Sequence, residues 1–338
     1  MKFLVRSIFL FLCLAGIALA AFYAWLTHPL AFPAGAARVE FRVPAGVGLR
    51  GAIKNLAAAG VEVEPRLLVL ASRLQSWHSR NRMFVRAGTY GLAAGTTPLQ
   101  LLDTLHAGKV LQTDVRLIEG WTFRQWRQRL KNEPYLTHEL ADLDDATLMK
   151  RLGFPQGIAP EGQFFPETYR LDRYASDREL LALAAKTMRE TLAREWAARQ
   201  EGLPYRTPYE ALIMASIVEK ETGQDADRPR VASVFVNRLR LGMRLQTDPS
   251  VIYGLGDAFD GNLRRRDLEA DTPWNTYTRA GLPPTPIAMP GLASLRAALH
   301  PEASRYLYFV ARGDGSSEFS ETLEAHNRAV NRYQRRRG

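Results

Sequence analysis

The chain has 338 residues, enough for two or three domains with cores of their own, and its 46% hydrophobic and 24% charged content is that of a globular protein. Lys and Arg number 45 against 35 Asp and Glu, a net charge of +10, which suits an anionic surface or polymer. No base-reading helix or RNA-binding motif accompanies that charge, so nucleic acid is not an expected partner. The six histidines are scattered, without HExxH or a Cys/His set. There is no phosphate-binding Gly-rich loop and no GxSxG elbow, so neither a metal nor another cofactor is expected.

Lys2 and Arg6 precede an apolar run over residues 8–26, about the length that crosses a bilayer. Positive charge ahead of the run predicts a cytoplasmic N-terminus and an exported remainder. Ala18-Leu19-Ala20 resembles a signal-peptide cleavage site, the rival reading. The run continues past it through Phe22, Tyr23 and Trp25, and the last two suit a membrane interface, so residues 1–28 are read as a single-pass anchor in the inner (plasma) membrane. The lone Cys13 lies within it, leaving no disulfide or thiol nucleophile beyond.

Residues 29–38 are a Pro/Ala/Gly linker that would lift the next domain off the membrane. VEFRVP alternates as a strand, GLRGAIKNLAAAGV reads as a helix closed by Gly60, and PRLLVLASRLQSW as a helix opened by Pro65. FVRAGTYGL reads as a strand with Gly88 in a turn, and PLQLLDTLHAGKV as another helix. AGVGLRGAIKNLAAAGV and AGTTPLQLLDTLHAGKV are weakly alike. They are either a partial repeat of a strand–helix–helix–strand module or two short helices similar by chance.

VLQTDVRLIEGWTFRQWRQRL gives a strand and then a helix with Thr122 as N-cap; residues 133–153 look like a polar helical connector. PEGQFFPETYRLD has turn chemistry at both ends, and its Glu161 and Glu167 are not spaced as metal ligands. Residues 177–200 form a long amphipathic helix on which Trp196 reads as core.

The stretch over residues 211–223, ALIMASIVEKETG, is an apolar helix that ends in two glutamates, with Thr207 as N-cap, Pro208 in the first turn and Gly223 at C′. It has almost no polar face, so burial is expected. Leu212, Ala215 and Ser216 lie on the side of Glu219. A carboxyl among apolar neighbours is expected to hold its proton more tightly, as a general acid must. The plainer reading makes both glutamates caps of a solvated helix end.

Residues 230–243 read as a further helix. Gln246, Asp248 and Tyr253 cluster in LQTDPSVIYGLG, where Asp248 is either an N-cap or a site residue. DTPWNTYTRAGLPPTPIAMPG is loop-like; Asn275, Thr276 and Tyr277 suit sugar contacts or form an ordinary turn. YLYFVARGDGSSEFS reads as a hairpin turning at Gly315, followed by a helix with His326 and Asn327.

ASIVEKETG, VASVFVNRLRLGMRLQTDPSVIYG, WNTYTRAGLPPTPIAMPG and YLYFVARGDG…HNRAV, with IEGWT and PEGQFFPETY, resemble the YceG-like family of endolytic murein transglycosylases. The likeness runs from the anchor to the C-terminus in unbroken motif order. It implies an α+β fold: one transmembrane helix, a small LysM-like α/β domain over residues 39–110, and a larger mixed α+β catalytic domain over residues 111–338. It implies that Glu219 is the catalytic group and that Glu161, Gln246, Asp248, Tyr253, Asn275 and Tyr277 border the glycan cleft. The implied substrate is the peptidoglycan strand, cut between N-acetylmuramic acid and N-acetylglucosamine with a 1,6-anhydro end. The implied partners are the cell-wall synthases. Ser250 stands where the family has Thr, and Thr285 and Met289 also depart from its pattern. Hydrolysis would need a second carboxylate, for which Asp248 is the nominee. A membrane-tethered wall-binding scaffold is the alternative outside enzymology.

Overall fold

Twenty-six residues without an acidic group make α1 (Lys2–Thr27), the longest helix in the computed structural model, which describes residues 2–79 and 84–334. An 18-residue window of its Phe3–Thr27 stretch has a mean hydropathy of 2.4 and is unburied. At 1.5 Å per residue it is about 39 Å long, enough to cross a bilayer. Its last turns have a different role: Phe22, Trp25 and Leu26 pack against a folded core.

That core belongs to the first of two compact units, the chain up to Thr113 together with Arg170–Tyr174. Alternation in β1 (Arg38–Val43) turns Val39, Phe41 and Val43 inward. α2 (Leu49–Ala58) and α3 (Pro65–Ser79) follow, and β2 (Gly88–Ala93) returns antiparallel to β1 with Phe41 opposite Tyr90. α4 (Pro98–His106) begins with a Thr97–Gln100 capping box and adds Leu101, Leu102 and Leu105 to the core. The strand–helix–helix–strand order read from the sequence is present. Two details differ. The second strand starts at Gly88, without Val85 and Arg86. The segment after the anchor is not a free linker: Leu30 is buried and its amide donates to Thr96 O, while Glu62 N donates to Ala31 O.

β3 (Gln112–Arg116) carries the chain into the second unit, Asp114–Tyr169 with Ala175 onward. α5 (Phe123–Lys131) has the expected Thr122 cap, completed by Gln125. Residues 133–153 hold only one short helix, α6 (Asp145–Arg151), because Pro134 and the turn-forming Asp-rich stretch break any longer one. β4 (Thr168–Asp172), which pairs with β3, was hidden by the prolines and glycine before it. α7 (Asp177–Ala197) carries Trp196, which packs partly buried against the main core.

α8 (Pro208–Glu221) is the centre of the second unit. Thr207 caps it through Glu210 N, and every residue from Ala211 to Val218 is buried. α7, α9 (Arg228–Arg240), α10 (Asp248–Leu255) and α12 (Leu292–Leu299) pack around it, as a helix without a polar face requires. α11 (Arg265–Glu269) precedes the 272–291 loop. β5 (Tyr308–Ala311) and β6 (Ser317–Ser320) form the terminal hairpin, with α13 (Leu323–Tyr333) behind it. Gly223 is not a left-handed stop; Thr222, extended at φ −148°, ends α8.

The one polar group inside the buried stretch of α8 is Ser216. Its Oγ donates to Ile213 O at 2.7 Å and accepts from Ile287 N at 3.0 Å, fastening the long loop to the helix. Ser216→Ala would leave the buried Ile287 amide unpaired. It is expected to destabilise the second unit by about 1–3 kcal/mol, read as a lower urea midpoint of the full chain in detergent.

Candidate active site

Where α8 leaves the core its sequence becomes Glu219-Lys220-Glu221, and at about 100° per residue these side chains face three ways. Glu219 is half-buried. Its Oε2 accepts from Gly291 N at 3.0 Å, at the start of α12. Its Oε1 lies against Gly120, where an added Cβ would stand 3.7 Å away. Oε1 has no hydrogen-bond partner among the described residues. The expectation of an acid enclosed by apolar side chains is therefore corrected: Leu212, Ala215 and Ser216 are buried below it, but the half-buried carboxyl itself meets the backbone of Gly120 and Gly291.

Two loops make that backbone surface. Gly120 N donates to Met289 O at 2.8 Å and Met289 N to Trp121 O at 2.9 Å, so the IEGWT and IAMPG segments pair with each other. Trp126 Nε1 holds the first through Ile118 O at 2.8 Å, and Lys220 Nζ donates to Gly120 O at 3.2 Å. Gly120 has φ +72°, a left-handed conformation that side chains disfavour. Met289 is fully buried, so this departure from the family pattern is a core choice.

Lys220 faces a cavity of about 960 Å³ that is also lined by Glu161, Tyr253, Trp274, Arg124 and Asp257. Glu161 is 4% exposed. Both its oxygens lie within reach of Phe123 N, at 3.1 and 3.2 Å, where it satisfies the first amide of α5. Burial pushes its pKa up to about 8, against the opposing pull of the Phe123 amide and the Tyr253 hydroxyl. Tyr253 meets Trp274 edge-on, ring centroids 5.7 Å apart. Trp274 Nε1 donates to Thr285 Oγ1 at 3.0 Å, which gives the second departing residue a hydrogen-bonding task.

Glu221 faces a second cavity of about 590 Å³, lined also by Arg238, Gln246, Asp248, Tyr277 and His326. Its carboxyl accepts from Thr247 Oγ1. Burial, helped by the neighbouring Asp248, pushes Glu221 up to about 7; the Thr247 bond and Arg238 pull the other way. Beneath it lies a set of linked hydroxyls. Thr247 N donates to Thr276 Oγ1 at 3.0 Å, Ser250 Oγ meets Thr276 Oγ1 at 2.9 Å, and Ser250 Oγ donates to Thr247 O at 2.8 Å. Serine at 250 thus keeps the hydroxyl that threonine would supply. Gln246 sits at φ +51°, and Tyr277 OH donates to Asp248 Oδ1 at 2.5 Å.

The cleft expected from the sequence is thus divided. Glu161 and Tyr253 share the larger cavity, while Gln246, Asp248 and Tyr277 share the smaller one with Glu221; Glu219 lines neither, its neighbours Lys220 and Glu221 lining one each. Asn275 borders neither. It is fully buried, its Nδ2 donating to Asp267 O, Leu268 O and Ala270 O and its Oδ1 accepting from Tyr277 N at 2.8 Å. A group with all its bonds made inside the fold has none for a sugar, so Asn275 braces the loop that presents Tyr277. The roles of Gly120, Gly291 and Trp274 escaped the sequence reading, although each lies within a motif it singled out. Among the described residues no cluster of His, Cys, Asp and Glu could hold a metal.

Comparison with known proteins bears on this geometry. The YceG-like family matches residues 41–332. The chain belongs to the YceG-like family. It is 34% identical over 265 residues to the endolytic murein transglycosylase of Bacillus subtilis (strain 168), spanning 73% of each chain. It is 26% identical over 314 residues to the endolytic murein transglycosylase of Streptococcus pneumoniae, spanning 82% of this chain and 56% of that one. The crystal structure of a YceG-like protein from Listeria monocytogenes superposes with a TM-score of 0.52 at 30% identity, over 86% of this chain and 98% of that one. For this YceG-like chain the matched region contains the whole of α8, the larger cavity, and the smaller one apart from Gln334.

Glu221 gives a test of the site's electrostatics. Its folded-state pKa, about 7, lies above its ordinary 4.5, so the folded state holds the proton more tightly. The stability contributed is complete below about pH 4.5 and is lost as pH rises through about 7. Glu221→Gln keeps an oxygen for Thr247 and removes the titration. It is expected to flatten the pH dependence of the denaturant midpoint across that window, a difference from wild type on the order of 3 kcal/mol.

Proposed function

We propose that the chain is a membrane-anchored endolytic murein transglycosylase that cuts nascent peptidoglycan strands, with Glu219 as the single acid–base group. The observation that carries the assignment is the state of its carboxyl: Oε2 is held by the Gly291 amide and Oε1 is unbonded beside the glycine surface of Gly120. The curated relatives bearing that name, from Bacillus and Streptococcus, support the substrate class.

In this reading Oε1 carries the proton. Glu219 donates it to the oxygen linking C1 of N-acetylmuramic acid to N-acetylglucosamine, and the C1–O bond breaks through an oxocarbenium-like state. The carboxylate then takes the proton of the muramic acid C6 hydroxyl as that oxygen closes on C1. The carboxyl ends as it began, water is not consumed, and no second carboxylate is needed. The Gly291 N–H keeps the group oriented through both steps, as a positioned acid–base residue requires.

Glu161, Tyr253 and Trp274 are assigned to one part of the glycan site, where the aromatic pair offers ring faces to sugars. Gln246, Asp248 and Tyr277 are assigned to its continuation in the smaller cavity. The first unit is read as LysM-like and as holding glycan, with domain limits at residues 39–110 and 111–338. α1 is read as an uncleaved anchor with a cytoplasmic N-terminus and the rest outside the membrane. Wall synthases are the partners that would supply new strands.

Glu219→Gln is nearly isosteric and should fold as wild type. Its release of fragments from purified glycan strands is expected to fall about 10²–10⁴-fold. Mass spectrometry of wild-type products should find ends lighter by one water than hydrolysis gives. Hydrated ends would replace the transglycosylase reading by hydrolysis, and a variant keeping a tenth of the activity would remove Glu219 from the mechanism.

A further inference from the structure

The first unit carries an apolar face that its own fold does not use. α3 turns Leu68, Ala71 and Ser72 inward, and Gln75 Nε2 ties it to Asp103 of α4 at 2.7 Å. On the outer side Leu70 is 46%, Leu74 48% and Trp77 83% exposed. At about 100° per residue these three fall within an arc of roughly 60°, with Arg66 and Arg73 along one edge. Phe84, the first described residue after this helix's C-terminal end, is also largely exposed. Two leucines and a tryptophan beside two arginines form the pattern of a helix lying in a lipid interface.

From these features we propose that the outer face of α3 rests on the anionic headgroup surface of the bilayer crossed by α1. The inference rests on the reading of α1 as an uncleaved anchor. Three observations select lipid as the occupant. Phe22, Trp25 and Leu26 of α1 pack into the core of this same unit, so the unit begins where the apolar helix ends. The chain beyond α1 is bonded in at Leu30 and Ala31, the latter to Glu62, three residues before α3 begins. The unit is thereby held close to the bilayer. The charges on the edge of the face are positive, complementary to anionic lipid, and tryptophan favours the headgroup level. A sugar would find few hydrogen-bonding groups on Leu70, Leu74 and Trp77.

The test uses the full chain with Cys13→Ser, reconstituted in nanodiscs containing phosphatidylglycerol and lipids with a nitroxide quencher. A polarity-sensitive fluorophore is attached through Leu74→Cys, or for comparison through Leu14→Cys within α1 or Lys54→Cys on the exposed side of α2. The Leu74 probe is expected to be quenched at least twofold more than the Lys54 probe, and Arg66→Glu with Arg73→Glu should reduce that excess. Quenching at Leu74 equal to that at Lys54, with Leu14 strongly quenched, would overturn the proposal and leave the anchor intact. An unquenched Leu14 probe would instead overturn the anchor reading, and the proposal with it. A Leu74 probe shielded equally in detergent, with Leu74→Cys forming a cross-linked dimer, would assign the face to a second copy of the chain.

Discussion

A helix with no polar side has to be wrapped all round, and α8 imposes that requirement on the second unit. Four helices and the long 272–291 loop cover it, and burying its Leu, Ile and Met side chains stabilises the fold by about 1.5–3 kcal/mol each. The charges of α8 are therefore confined to its ends. Glu219, Lys220 and Glu221 follow one another where the wrapping stops, and each meets a different environment. A carboxyl on the last turn of a fixed helix is positioned more closely than one on a free loop, and the Gly291 amide removes much of its remaining freedom.

The same three residues show how far the sequence could be read. The apolar run predicts a buried helix, Thr207 and Pro208 predict its start, and the motif order predicts the family; all are local or linear signals. The environments of the two carboxyls are neither. Glu219 looked enclosed because its helical neighbours are apolar, yet its surroundings come from Gly120 and Gly291, about a hundred residues before it and seventy after. Glu221 could be read as a cap on a solvated helix end, and burial instead makes it hold its proton more tightly, as it does Glu161. Asn275 was chosen for its hydrogen-bonding chemistry, which the fold uses internally. Side-chain type says what a residue can bond to, but only the fold says which bonds are already made.

Serine and threonine hydroxyls join the glutamate helix to the loops beside it. Ser216 carries the 285–291 segment, and Thr247, Ser250 and Thr276 join the start of α10 to the Asn-Thr-Tyr loop under Glu221. Each is buried, so each bond forms without competition from water and would be costly to leave unmade. Such residues rank low as candidates for chemistry when read from sequence. Here they determine where the candidates stand.

A glutamine in the left-handed region is unfavourable by itself and persists only because its surroundings over-determine it: Gln246 N is bonded to Thr276 O, and Thr247 is bonded on both its backbone and side-chain groups. The rim of the smaller cavity at Gln246 is therefore held by bonds made inside the fold. If the smaller cavity takes part of a glycan strand, as proposed, that strand would meet an edge already ordered and would spend little binding energy on ordering it.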